Sequence, residues 1–179
     1  GGTIADAAGN PAILTLAEPG EAGSLAANAD LIIDATRPLI TAVASSTANG
    51  SYGIGAVINI TVAFSEDVLV DTTSGTPTLQ LETDTTNRYA TYASGSGSNT
   101  LTFQYTVQEG DSSSDLSQLS STALALNGGS INDAAGNPAI LTLATPGETG
   151  SLSANADLEI DGVASTVTGV NSTTANGTY

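Results

Sequence analysis

Residues 1–34, GGTIADAAGNPAILTLAEPGEAGSLAANADLIID, return almost unchanged as residues 128–161, GGSINDAAGNPAILTLATPGETGSLSANADLEID. Every offset is 127, without a gap, and 28 of the 34 pairs are identical. Past Asp161 the likeness weakens but keeps register: STANGSY at 46–52 faces TTANGTY at 173–179, and 36 of the 52 overlapping positions agree. The likeness falls away after Asp34 and Asp161, and Ala35-Thr-Arg-Pro38 reads as a short linker stiffened by proline. The expected organisation is therefore the C-terminal part of a preceding repeat (1–34), one complete repeat (35–161) and the N-terminal part of a following one (162–179), a piece of a longer tandem chain. A period of 127 residues exceeds that of solenoids, whose short units bury their faces only against neighbours. A unit of this size can enclose its own core.

Charge narrows the function. Eighteen acids face two cations, Arg37 and Arg88, for a formal net charge of -16, and there is no Lys, His, Cys, Met or Trp. Without a basic patch nothing neutralises phosphates, which excludes nucleic acid as a partner. Zinc sites of the usual kind, thiol and imidazole nucleophiles and disulfides are excluded by the missing Cys and His. No apolar run is long enough to span a membrane, so no membrane insertion is expected. Hydrophobic residues at 40% and charged ones at 11% argue for a folded chain rather than a disordered acidic one. An acidic, Ser/Thr-rich domain suits saline or calcium-rich surroundings, where counterions screen its self-repulsion. An extracellular location follows as an expectation.

Apolar residues alternate rather than recur at helical spacing. Ile58, Ile60, Val62 and Phe64 form one such series, and Leu101, Phe103, Tyr105 and Val107 another. Strands of this kind have one buried and one solvated face. The expected strands run over 39–44, 56–64, 77–83, 87–93, 99–107, 122–131 and a last one ending at 156–160. Seven short strands in a unit of this length predict an all-β fold: an immunoglobulin-like antiparallel β-sandwich of Greek-key topology, in tandem array. Segment 138–155 fits less well, and Ala139–Leu143 reads as an extra strand or the first half of the last one.

If successive strands run pole to pole, Asp34, Glu66, Asp67, Asn132, Asp133 and Asn137 gather at the pole where the chain enters. Glu109, Asp111, Asp115 and Asp161 gather at the other. All-oxygen donors without nitrogen or sulfur suit a hard cation, and calcium takes six to eight such ligands. The motif D-A-A-G-N, at Asp6–Asn10 and Asp133–Asn137, reads as an Asx-type turn using glycine at positive φ, either alone or with its Asp as a metal ligand. Asp111–Asp115 departs from an EF-hand at Leu116 and Thr122, so a solvated loop is expected there. Asp71 and Asp84 are expected at the surface, and Arg37 is expected to pair with an acid near the linker. Asn49, Asn59, Asn171 and Asn176 stand in glycosylation-type triplets, two of which are equally Asn-Gly turns.

VINITVAFSEDV (57–68), LTFQYTVQEGDSSSDL (101–116) and ALALNGGSINDAAGNPA (123–139) resemble the bacterial Ig-like repeats of giant secreted surface adhesins, many exported by type I systems. The resemblance covers essentially all of 35–161. It implies a β-sandwich, an extended chain of domains and calcium at or near the junctions, with Glu66 of F-S-E, Asp133 of D-A-A-G-N and the linker Asp34 as ligands, and Asp6 and Asp161 as their equivalents in the flanking copies. The expected function is a structural, non-catalytic repeat of a bacterial adhesin or surface fibre whose partners are neighbouring repeats and calcium ions. Two alternatives stand beside it: a self-assembling fibre subunit joined by β-strand complementation, and a carbohydrate-binding module built on the scattered tyrosines.

Overall fold

The computed structural model describes residues 1–171, 173, 174, 177 and 178, so Asn176 and part of the third repeat copy lie outside the described residues. The chain divides into two compact units, Gly1–Asp34 and Ala35–Tyr179.

The second unit is predominantly β, with curled, mainly antiparallel sheets. Its strands are β1 (Ile40–Ser45), β2 (Gly50–Gly53), β3 (Val57–Asp71), β4 (Thr78–Glu82), β5 (Arg88–Ser94), β6 (Ser98–Thr106), β7 (Ser112–Ser113), β8 (Ser117–Gln118), β9 (Leu124–Ala125), β10 (Ser130–Asn132) and β11 (Leu158–Asp161). The main sheet runs β1-β3-β6-β5-β4-β8, with β10 on β3 and β9 on β4; a smaller sheet runs β2-β11-β7. Within it β11 pairs β2 in parallel, Leu158 opposite Gly50 and Asp161 opposite Gly53.

Alternation carries this sheet. On β3, Ile58, Ile60, Val62, Phe64 and Val68 are buried, and on β6 Leu101, Phe103 and Tyr105 face the same core. Each such side chain removed from water contributes about 1.5–3 kcal/mol.

Three features differ from the sequence expectation. The strand expected over 56–64 continues to Asp71, past a register shift between Ala63 and Val68, so its first half pairs β6 and its end pairs β10. The strand expected over 122–131 is two, β9 and β10, separated by a turn in which Asn127 has φ 53°. That turn packs on Gly75, where a Cβ would stand 1.8 Å from the Asn127 carbonyl oxygen. Segment 138–155 holds isolated bridges, Leu39 to Ile140 and Asn132 to Pro138, and one helical turn, α2 (Leu152–Asn155). Ser151 caps α2, its hydroxyl accepting from the Ala154 amide at 3.3 Å, and α2 packs against β1 and β8.

The first unit has no β-sheet. It keeps only the local parts of its repeat copy: the D-A-A-G-N turn, an Ala5–Pro11 bridge and the helical turn α1 (Leu25–Asn28), capped by Ser24.

Candidate functional site

Asp133 is buried at the end of β10 and folds its own turn around its carboxylate. Oδ1 accepts from the Asn137 amide at 2.7 Å, and Oδ2 accepts from Asn137 Nδ2 at 2.7 Å. Gly136, at φ 92°, lets the chain reverse between them. Burial by itself would raise this carboxyl, but the hydrogen bonds from Asn137 and from the backbone of the turn outweigh it and hold the group below the usual carboxylate range. Asp133 is thus a charged group at neutral pH, kept in place from behind.

The pairing of β10 with the end of β3, Ile131 opposite Val70, carries this turn to the irregular middle of β3. There a carboxylate oxygen of half-buried Glu66 lies within 4.8 Å of one of Asp133. The same region anchors the linker. Leu39 and Ser65 exchange hydrogen bonds, Ser65 N donating to Leu39 O at 2.8 Å and Leu39 N donating to Ser65 Oγ at 3.0 Å. Buried Pro38 accepts from the Ile140 amide at 2.8 Å, and Arg37 Nε donates to the Pro138 carbonyl at 2.7 Å. Arg37 therefore holds backbone carbonyls, where pairing with an acid was expected; the linker follows segment 138–140 closely enough for its guanidinium to reach them.

Asn137 orients Asp133, and Asn132 lies in β10, half-buried, opposite Leu69. Asp67 is exposed and outside the Glu66–Asp133 group. Asp34 ends the first unit and Asp161 ends β11; both are exposed. Asp161 Oδ1 accepts from the Val163 amide at 3.1 Å. Asp6 repeats the Asp133 turn at the surface, accepting from Asn10 Nδ2 at 2.8 Å and from the Asn10 amide at 2.9 Å. Those bonds, the Asn10 side chain first, lower its carboxyl as they do that of Asp133.

Asp111 overturns the expectation of a solvated loop. It is fully buried, with Arg88 Nε donating to Oδ1 at 2.6 Å and the Tyr105 hydroxyl to Oδ2 at 2.6 Å; the Gln108 amide adds a third bond at 2.8 Å. Burial pushes the Asp111 carboxyl up, yet these donors prevail and lower it, while burial and the neighbouring Asp111 raise Tyr105. One of only two cations in the chain is thus spent inside the fold. That scarcity was the single sequence signal of a specific partner for Arg88. Asp71 and Asp84 are exposed, as expected.

Tyr105 is buried in the core, Tyr92 packs edge-on against Phe103 at 5.9 Å between centroids, and Tyr89 is exposed on β5.

No protein-family model, curated protein or solved structure matches the chain. Among the described residues no helix is long and apolar enough to cross a membrane.

Proposed function

We propose that this chain is a structural, non-catalytic repeat of a bacterial extracellular adhesin or surface fibre: an Ig-like sandwich in tandem array whose junctions are stiffened by calcium. The observation that carries the metal is the approach of a Glu66 carboxylate oxygen to one of Asp133 within 4.8 Å. Carboxylate oxygens that converge at this separation can bind one divalent cation together. The available donors are oxygens, which suits calcium better than a transition metal.

Asp34 is the third ligand in this proposal. It is tethered three residues before Arg37, which is fixed on the Pro138 carbonyl, so the chain limits their Cα separation to about 11 Å. An ion held by Asp34, Glu66 and Asp133 ties the end of one repeat to the body of the next. A free linker lets neighbouring domains reorient, whereas a bridged one does not, and that loss of freedom is the mechanical function. Asp161 offers the same carboxylate to the following junction, with Asp6 the equivalent of Asp133 in the preceding copy.

The test is the increment in thermal midpoint between excess calcium and EDTA. At a free concentration about 100 times Kd, binding stabilises by about 2.7 kcal/mol, or roughly 5–10 °C for a unit of this size. Glu66→Gln should abolish the increment while leaving the EDTA midpoint near that of the unaltered chain. Equal midpoints with and without calcium would refute the metal and leave a spacer whose acids are only solvated.

A further inference from the structure

We infer that residues 1–34 are a closing segment that docks onto a sheet body with the sequence of residues 35–127, other than the one already closed by residues 128–161. This deepens the repeat reading above by naming the partner surface and how it is seated.

The two copies of the segment adopt the same local structure in different surroundings. The Asp6 and Asp133 amides each donate to the Asn carbonyl four residues on, and Ala12 N to Ile4 O matches Ala139 N to Ile131 O. Gly20 N to Ser24 Oγ likewise matches Gly147 N to Ser151 Oγ, both at 3.1 Å. What differs is cover. Ile131, Leu143 and Ile160 are 2%, 3% and 2% exposed, whereas their counterparts Ile4, Leu16 and Ile33 are 67%, 87% and 92% exposed. Leu25 and Leu31 are likewise open where Leu152 and Leu158 are completely buried.

The six substitutions between the copies (Thr3/Ser130, Ala5/Asn132, Glu18/Thr145, Ala22/Thr149, Ala26/Ser153 and Ile32/Glu159) all fall at positions that are exposed or half-buried in 128–161. Every residue that 128–161 buries is therefore retained in 1–34. Two side-chain bonds to the body, Ser153 Oγ to Ser117 Oγ and Ser51 Oγ to Glu159, have no counterpart at Ala26 and Ile32, but the other groups that meet the body are kept. Ile140 N donates to Pro38 O and Leu143 N donates to Ser121 O, while Asn155 Nδ2 donates to Val43 O; Ile13, Leu16 and Asn28 stand at the matching positions. With no body to meet, Asn28 Nδ2 turns back to the Ser24 carbonyl at 2.8 Å. The face is an imprint of the β1–β9 body, and that body is its occupant.

The experiment joins a further 35–127 segment ahead of Gly1 and follows hydrogen exchange at the Ile13 and Leu16 amides, in EDTA so that no metal contributes. Docking should slow both by about 100-fold or more, to the rates of Ile140 and Leu143. Leu16→Asp in the extended chain should return them to fast exchange without shifting the melt of 35–161. Exchange as fast as in the 179-residue chain would overturn the inference. So would protection in the unextended chain that grows with concentration, which would mark self-association as the cover. The calcium proposal fails or stands separately, on the midpoint increment at Glu66.

Discussion

Asp111 and Asp133 show how a residue in a strongly acidic chain becomes structural. Both are buried carboxylates whose donors outweigh the desolvation of their charge. A carboxyl held below its ordinary value stabilises the fold while the unfolded chain's carboxyl, near about 3.9, is also ionised. That contribution is complete above the unfolded value and is lost as pH falls through the lowered folded one, so the unit should weaken in acid below about pH 4. Asp111→Ala leaves the Tyr105 hydroxyl and the Arg88 guanidinium without their acceptor and should cost about 3 kcal/mol in urea unfolding at pH 7. The difference from the unaltered chain should shrink toward pH 2; a pH-independent difference would mean that packing, not the ion pair, was lost. Neither role was evident from D-S-S-S-D or D-A-A-G-N alone. The Asp133 turn was legible as a turn, because Asp, Gly and Asn at that spacing satisfy one another locally, whereas the partners of Asp111 lie 6 and 23 residues away.

At the scale of elements, period-two alternation identified β1, β3, β4, β5 and β6 because burying one face of each strand is a local pattern with a global cause. It misjudged 122–131, where Leu124 and Leu126 continue the alternation but Asn127 turns left-handed and the chain changes partner from β4 to β3. That turn exists because Gly75 allows two backbones to touch. Gly75→Ala would drive a Cβ into the Asn127 carbonyl and should destabilise the unit by about 2–4 kcal/mol, with faster exchange concentrated in β9 and β10. An unchanged midpoint would show that the turn yields freely. The pairing of β11 with β2, and the burial of Ala139, Leu143 and Leu152 in a segment without strands, are contacts between distant parts of the chain that no window of sequence contains.

For the whole molecule, the division at Asp34 makes a direct prediction. A chain beginning at Ala35 retains every residue of the second unit, so its melt in EDTA should match that of the 179-residue chain within about 2 °C. Under the calcium proposal the same truncation removes Asp34, and most of the calcium increment should go with it. Retention of the full increment would leave Glu66 and Asp133 as a site within one repeat and remove the bridge between repeats. The acid group itself was partly legible: Glu66 and Asp133 were expected together, while Asp67, equally acidic and adjacent to Glu66, lies outside the group.

The repeated segment separates local from tertiary control within one molecule. Its D-A-A-G-N turn, its serine-capped helical turn and the bridge beside them form in both copies, because each is closed by hydrogen bonds within a few residues. Ser130–Asn132 and Leu158–Asp161 are strands, while residues 3–5 and 31–34 are not, although Leu31, Ile33 and Asp34 match Leu158, Ile160 and Asp161 residue for residue. A strand needs the backbone groups of another strand to pair with and a core to bury its apolar face. Those come only from the body of the fold, so the amino acids alone specify the turns, and the partner decides whether the residues between them become sheet.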